Sequence, residues 1–212
     1  MELDEVAVLD AAVEVFAADG YFGATVDEIA RRAGTSKPLL FRRYHTKDAL
    51  FDLTVEHEVR YLTERLFRAY EAGVELSVAE SMAPGVHAIL EYAEERPYGF
   101  RLLFQAGFTV GQGATPPFEK VRGLVTDRIA EVVLQRLRTL GVSSGRPAAM
   151  ILSSAMVGAS EHVARLAAHD STLDPRATGE LLAQFLAVGM TGISRRTLGA
   201  SYARAVDPEG SE

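Results

Sequence analysis

Apolar residues recur along most of the chain at spacings of three and four, the pattern of amphipathic helices. The first such face comprises Val6, Leu9, Val13 and Phe16. Gly20 predicts the end of this helix, because glycine readily takes the left-handed conformation that closes helices. No long stretch alternates β-branched and polar residues with a period of two, so the pattern predicts an all-α fold.

Two short helices separated by a tight turn at Gly34 are predicted next. Thr25 and Glu28 have the spacing of a capping box, which predicts that a helix starts after Thr25. Ser36 is a candidate N-cap for the second short helix. Two short helices joined by such a turn are typical of a helix-turn-helix, here over residues 25–44.

The remainder of the chain is also predicted to be helical. Thr46 is a candidate cap for a long fourth helix that runs to about residue 72. The charge-free stretches, such as 147–160 and 181–194, are too short and too interrupted by Ser and Gly to span a bilayer. The polar tail at 201–212 is predicted to be disordered. The five further helical patterns lie near 75–95, 97–108, 117–140, 147–169 and 175–199.

The composition is that of a folded globular protein, with 48% hydrophobic and 24% charged residues. The lack of cysteine excludes disulfides and thiolate zinc sites. The histidines lack the spacing of a chelating pair, since His162 and His169 are seven residues apart. No metal and no cofactor is predicted. The acidic N-terminus lacks the basic start of a signal peptide, so we expect a cytoplasmic protein.

Charge is distributed unevenly along the chain. Residues 31–47, the basic island, hold six cations and no carboxylate, so the rest of a chain of net charge −7 carries −13. The island covers the second helix of the predicted helix-turn-helix and both its flanks. That helix enters the major groove in such motifs, where cations displace counterions from phosphates. The plain alternative is a solvated basic surface without a partner.

A series of short motifs occurs in order over residues 8–50. The motifs are Phe16 with Gly20–Tyr21, Thr25 with Ile29–Ala30, Ala33–Gly34 with Ser36, the aromatic pair Phe41 and Tyr44, and Lys47. Together they resemble the N-terminal DNA-binding domain of the TetR family of transcriptional regulators. The resemblance implies a three-helix helix-turn-helix domain, here 1–47. It further implies a long fourth helix leading into a helical effector-binding and dimerisation domain, here 48–200.

The second short helix departs from the family pattern. Residues 38–41 read Pro-Leu-Leu-Phe where the family often has Gly-Thr-Leu-Tyr, so the usual hydroxyls at Leu39 and Phe41 are missing. Leu39 can offer only apolar contact, for example to a thymine methyl. The resemblance implies a DNA-contact set that includes Ser36, with Thr25, Lys37, Arg43, Tyr44 and Lys47 mainly on phosphates and Pro38, Leu39 and Arg42 near base edges.

Large rings are dense in segment 92–118, beside a Gly-rich loop at 109–117. Apolar pockets with a few polar groups are the usual small-molecule site, and the resemblance implies a small-molecule effector. The alternative for any single ring is ordinary core packing. The predicted effector contacts are Tyr92, Phe100, Phe104, Gln105, Phe108, Phe118, Met156 and His162.

The last two helices carry more apolar surface than one neighbour can cover. Residues 181–193 are apolar around nearly the whole helix, and Gly189 and Gly192 would allow two backbones to approach closely. We expect a homodimer with a four-helix interface, matched to a roughly palindromic operator. The alternative is packing within one subunit. The predicted interface comprises Leu152, Ala155, Ala159, Val163, Leu181, Phe185, Val188, Gly189 and Gly192.

These patterns favour a transcriptional regulator over an enzyme. Residues 141–145, "GVSSG", match a nucleophile elbow, yet a helical pattern precedes them where the elbow needs a strand. We expect a repressor, the family default, that a small, largely apolar effector releases from double-stranded DNA. The alternatives are an all-helical small-molecule-binding protein or enzyme with no DNA role, and a partner-binding module with a vestigial helix-turn-helix.

Overall fold

A computed structural model of the chain describes residues 3–72, 76, 80–104, 117–139 and 146–193. Within these ranges every regular element is an α-helix and none is a strand, which confirms the all-α prediction. The helices are α1 Glu5–Gly23, α2 Val26–Arg32, α3 Lys37–Tyr44, α4 Lys47–Ala72, α5 Met82–Glu95, α6 Pro97–Phe104, α7 Pro117–Thr139, α8 Arg146–His169 and α9 Pro175–Gly192.

The chain forms two compact units. Unit 1 combines Met1–Glu64 with Tyr92–Val121, and unit 2 combines Arg65–Glu91 with Arg122–Glu212. α4, α5 and α7 therefore each supply residues to both units. The functional boundary between residues 47 and 48 stays a prediction. Among the described residues, no helix combines the length and the apolar character needed to cross a membrane.

The core of unit 1 forms around α1. Its buried face is Val8, Ala11, Ala12, Val13, Val15, Phe16 and Ala17. Val6, predicted to lie on this face, is exposed instead, because small alanines bring α1 close to α2 and α6 over a face centred elsewhere. Phe16 packs edge-on against Phe51 of α4, with ring centroids 4.9 Å apart. The helical path breaks at Gly20, where φ is 70°, as the sequence predicted.

Two of the predicted helix caps are present and one is absent. Thr25 accepts a hydrogen bond from the Glu28 amide at 3.2 Å, and Thr46 accepts one from Ala49 at 3.0 Å. Ser36 makes no side-chain cap. The reason is local: Pro38 has no amide hydrogen, and the Leu39 amide donates to the Ser36 backbone carbonyl at 3.0 Å.

Several predicted helix bounds need correction. α5 begins at Met82 and not near 75, since residue 76 lies in a bend and residues 80–81 form a turn. α9 ends at Gly192 and not near 199, because Ile193 is extended. α7 and α8 match their predicted bounds to within one residue. The end predicted for α6 near 108 and the tail at 201–212 lie outside the described residues.

Candidate nucleic-acid interface and effector cavity

The turn between α2 and α3 fixes which side of α3 faces outward. Gly34 adopts φ 63°, and the Thr35 amide donates to the Ala30 carbonyl at 2.9 Å, which reverses the chain within a few residues. Leu40 and Tyr44 then anchor α3 in the core of unit 1. The opposite side is exposed, as the sequence predicted for a recognition helix. It presents Lys37, Pro38, Phe41, Arg42 and Arg43, with Leu39 half-buried and Ser36 exposed just before the helix.

Tyr44 is placed differently from its predicted role at a phosphate. The residue is only 4% exposed, and its hydroxyl is buried without a hydrogen-bond partner. Burial, followed by the nearby charge of Glu5, raises the pKa of Tyr44 above its ordinary value. In this conformation Tyr44 anchors α3, and its hydroxyl does not reach solvent.

The basic island has carboxylate partners that the local sequence does not reveal. Lys37 Nζ lies 2.7 Å from Asp27 Oδ2, and Arg43 Nε donates to Glu5 Oε1 at 2.6 Å. Only Asp27 lies near its partner in the sequence, since 38 residues separate Glu5 from Arg43. The island is therefore free of acids in the sequence but not in space.

The single Glu28 carboxylate pairs with the first two cations of the island. Arg31 donates to it at 2.7 and 2.8 Å, and Arg32 donates at 2.8 Å. These hydrogen bonds, first from Arg31 and then from Arg32, lower the pKa of Glu28 to about 2. Arg32 also contacts Glu14 at 3.1 Å. Because Glu28 is engaged this way, only the Thr25 half of the predicted capping box forms.

Three further members of the predicted DNA-contact set have different surroundings. Arg42 is exposed and has no salt bridge to any described residue. Lys47 Nζ lies 4.7 Å above the Tyr21 ring, whose hydroxyl donates to Asp48. Thr25 is exposed, with its hydroxyl oxygen engaged as the α2 cap. Arg42 is thus the cation most directly available to an incoming duplex.

A buried polar cluster connects α1, α4 and the start of α6 within unit 1. Glu58 is fully buried and accepts hydrogen bonds from the Tyr92 hydroxyl at 2.7 Å and from Arg96 Nε at 3.1 and 3.2 Å. Arg96 Nη2 also reaches Asp10 at 2.7 Å. Although burial opposes the charge, the hydrogen bonds to Glu58 and then to Asp10 raise the pKa of Arg96. Gly99 lines the cluster, since an added Cβ would lie 2.1 Å from Glu58 Oε2.

The same cluster is the one place among the described residues where ligand-type side chains could hold a metal ion. Asp10, His57 and Glu58 each offer an atom within 4.8 Å of the others. Arg96 already donates to both carboxylates, so a guanidinium provides the compensating positive charge. The arrangement is that of an internal ion pair.

The described members of the predicted effector set belong to both units. Tyr92, Phe100 and Phe104 form a row of buried rings in unit 1, with centroids 6.3 and 4.7 Å apart in sequence order. His162 is exposed on α8. Gln105 and Phe108 lie outside the described residues, as does the side chain of Phe118. Burial of these three rings is compatible with ordinary core packing, and their contact with an effector stays a prediction.

Unit 2 holds a separate small apolar cavity, which we call the α5–α8 cavity. Its volume is about 40 Å³. Of the predicted effector residues that the structure describes, Met156 lines this cavity. Gly85 lets the Tyr70 ring lie close, because an added Cβ would stand 2.3 Å from that ring. The lining residues are Tyr70, Ser81, Met82, Gly85, Val86, Ile129, Val132, Val133, Met156, Ser160 and Leu186.

The residues of α9 predicted to be apolar around nearly the whole helix divide into a buried side and an exposed side. Leu182, Ala183 and Leu186 are buried within unit 2, whereas Leu181, Phe185 and Val188 are 70%, 69% and 65% exposed. On α8, Ile151 and Leu166 are exposed too. Of the other predicted dimer residues, Ala155 is exposed and Leu152, Ala159 and Val163 are half-buried. Gly189 and Gly192 face open space.

The sequence of this chain is similar to those of known bacterial regulatory proteins. Residues 8–53 match the family described as "Bacterial regulatory proteins, tetR family". The chain is 27% identical over 126 residues to the HTH-type transcriptional activator FasR of Mycolicibacterium smegmatis. It is 46% identical over 43 residues to the putative mycofactocin biosynthesis transcriptional regulator MftR of Mycobacterium tuberculosis. These matches cover 59% and 20% of this chain, and they span 57% and 22% of the two relatives.

Solved structures extend the similarity to most of the chain. A TetR-like transcriptional regulator from Rhodococcus sp. RHA1 is 26% identical and superposes with a TM-score of 0.69, covering 89% of this chain and 96% of the other. The transcriptional regulator FadR from Bacillus subtilis, solved with stearoyl-CoA, shares the fold at 15% identity and a TM-score of 0.69, covering 87% and 98%. Residues 8–53 therefore match the TetR family of bacterial regulatory proteins, and the all-α architecture is similar to that of a TetR-like transcriptional regulator.

Proposed function

We propose that the protein is a DNA-binding transcriptional regulator whose α3 enters the major groove of a duplex. The observation that carries this proposal is the exposed side of α3, where Lys37, Arg42 and Arg43 stand on a helix anchored from behind by Leu40 and Tyr44. Cations on such a surface displace counterions from phosphates, and the outward side chains of the helix reach base edges.

Regulation by a small, largely apolar effector is the second part of the proposal. The α5–α8 cavity supports it, because its walls carry two methionines and several aliphatic side chains and no charged group. Bacillus subtilis FadR, which has the same fold, was solved with stearoyl-CoA. An acyl chain attached to a polar carrier is accordingly the effector class that we propose.

The cavity has to enlarge before it can accept such a molecule. Its volume of about 40 Å³ is far below the roughly 300–1,000 Å³ of a typical ligand site. Met82 and Met156 are unbranched and adapt their rotamers readily. The Tyr70 ring, packed against Gly85, is the bulkiest side chain in the wall. We propose that an acyl chain displaces these side chains on entry.

Homodimerisation through the exposed side of α9 is the third part. Leu181, Phe185 and Val188 form an exposed apolar face of a kind that usually marks an interaction surface. The open space at Gly189 and Gly192 allows a second backbone to approach. An isologous dimer would present two α3 helices to successive major grooves of a roughly palindromic operator.

DNA binding is tested with labelled duplexes taken from the regions flanking the protein's own gene. We expect at least one to bind with an affinity that falls steeply with salt. Arg42→Ala should flatten discrimination between operator variants, by about 1–3 kcal/mol at one base pair. Arg176→Ala is the control: Arg176 is an exposed cation on α9 in unit 2, so its replacement removes the same charge and should leave discrimination between operator variants unchanged. Absence of binding to any duplex at 50 mM salt would refute the proposal.

The effector and the sign of regulation are tested together. Stearoyl-CoA should raise the melting temperature and release the protein from its duplex, whereas free coenzyme A should do neither. A reporter gene behind the bound duplex should be silent with the regulator alone and active when acyl-CoA accumulates. The opposite reporter response would make the protein an activator like FasR. No melting shift with acyl chains of any length would refute the effector class.

A further inference from the structure

We infer that Glu5 and Asp27 compete with DNA phosphates for Arg43 and Lys37, and thereby set how strongly and how salt-dependently the protein binds duplex DNA. The inference rests on the DNA binding proposed above. It assigns a role to two carboxylates that would not themselves touch DNA. Each holds a cation of the recognition helix in the free protein.

The geometry of the two pairs supports this competition. Asp27, in the first turn of α2, lies 2.7 Å from Lys37 at the start of α3. Glu5, in the first turn of α1, accepts from Arg43 near the end of α3 at 2.6 Å. The side chains of Lys37 and Asp27 are 48% and 66% exposed, and those of Arg43 and Glu5 are 53% and 51% exposed. Solvent and a phosphate can therefore reach both members of each pair.

Arg42 provides the internal comparison. It lies on α3 beside Arg43, is exposed, and has no carboxylate partner among the described residues. Before DNA binds, two of the three α3 cations are therefore held in intramolecular ion pairs, whereas the third is surrounded by water. A simple count of cations on this helix overstates the electrostatic attraction for DNA.

Exchange of partner alters the salt dependence in a defined way. Exposed ion pairs are weak, so a phosphate can replace the carboxylate. Each cation placed on a phosphate releases about 0.9 counterions from the duplex. The freed carboxylate then attracts a cation from solution and remains near the phosphate as a repelling charge. When a cation exchanges its carboxylate for a phosphate, the freed carboxylate thus cancels most of the increase that this contact would give to the slope of log affinity against log salt concentration.

Neutral, nearly isosteric variants test this directly. Asp27→Asn and Glu5→Gln should each tighten binding to a mixed-sequence 30-base-pair duplex. Each should also steepen the plot of log affinity against log salt by about one unit. Between 50 and 200 mM salt, each variant should then lose about fourfold more affinity than the parent, and the double variant about sixteenfold more.

Replacing the paired cations, alone and together with their carboxylate partners, completes a double-mutant cycle for each pair. Arg43→Ala should change the slope little in the parent, since its contact and the freed Glu5 offset each other, but by about one unit in the Glu5→Gln background. Lys37→Ala should behave likewise with Asp27→Asn. Loss of a helix-stabilising carboxylate alone would lower the melting temperature without altering the slope, so the slope separates the proposed role from a structural one.

Glu180→Gln is the matched control, because it makes the same charge change at an exposed site on α9 in unit 2. It should leave the slope at the parent value. If the parent binds DNA but Asp27→Asn and Glu5→Gln keep its slope, or if Glu180→Gln steepens it equally, the inference is overturned and DNA binding stands. If the parent binds no duplex, the proposed function itself fails.

Discussion

Replacing Arg96 by Met should destabilise the protein strongly. Arg96 is the cation that compensates Glu58, whose side chain is 0% exposed. Met approximates the aliphatic length of Arg but leaves the buried carboxylate with only the Tyr92 hydroxyl as a partner. Breaking a buried ion pair by removing one member costs about 3–5 kcal/mol, because an uncompensated charge stays inside.

The asymmetry of the pair makes the prediction sharper. Asp10 is 43% exposed, so it regains water when Arg96 is lost and adds little to the cost. Glu58→Gln should cost clearly less than Arg96→Met, since Arg96 keeps Asp10 and partial access to solvent. The double variant should recover much of the loss, because a neutral Gln can still accept from Tyr92 without a buried charge.

Urea unfolding followed by far-ultraviolet circular dichroism measures all four proteins. The expected order of unfolding free energy is parent, Glu58→Gln, double variant at a similar level, and Arg96→Met lowest. A loss below about 1 kcal/mol for Arg96→Met would refute the reasoning, since it would show that Glu58 is not desolvated. So would a double variant less stable than Arg96→Met alone.

Three further predictions concern other sites. The Glu28 carboxyl should titrate near pH 2 by carbon NMR; because its folded pKa lies below the ordinary 4.5, its stabilising pairs should persist above pH 4.5 and be lost as pH falls through 2. Gly99→Ala should lower the melting temperature, since its Cβ would collide with Glu58, whereas Gly123→Ala at an open helical site should match or exceed the parent. Phe185→Glu should sediment as a 23.0 kDa monomer, whereas we expect the parent to sediment as a dimer.

The helical framework was largely predictable because its signals are local. Thr25 and Thr46 cap helices through residues only three positions away, and Gly34 closes a turn of a few residues. Amphipathic spacing located all the helices that the structure describes. The Ser36 cap was wrong because the effect of Pro38 on the available amide hydrogens outweighed the preference of serine for that position.

The site chemistry was less predictable because it depends on distant partners. No local pattern links Glu5 to Arg43, so the acid-free stretch concealed its neutralising carboxylates. The rings at 92, 100 and 104 are buried in unit 1, and because cores and pockets use the same residue types, their contact with an effector stays a prediction. Met156 reached the cavity since it lies on the buried side of α8.

The small volume of the α5–α8 cavity has consequences for the effector concentration that a response would need. If the ligand-free protein rests with Tyr70 and the methionines filling the site, an effector binds only the minority of molecules in which they have moved away. The apparent affinity is then the intrinsic affinity reduced by that fraction, and the association rate levels off at the rate of opening. A small rise in effector concentration would leave most molecules closed, whereas a larger rise would shift them to the open form. The packing of one tyrosine against one glycine would therefore help to set the effector concentration at which transcription changes.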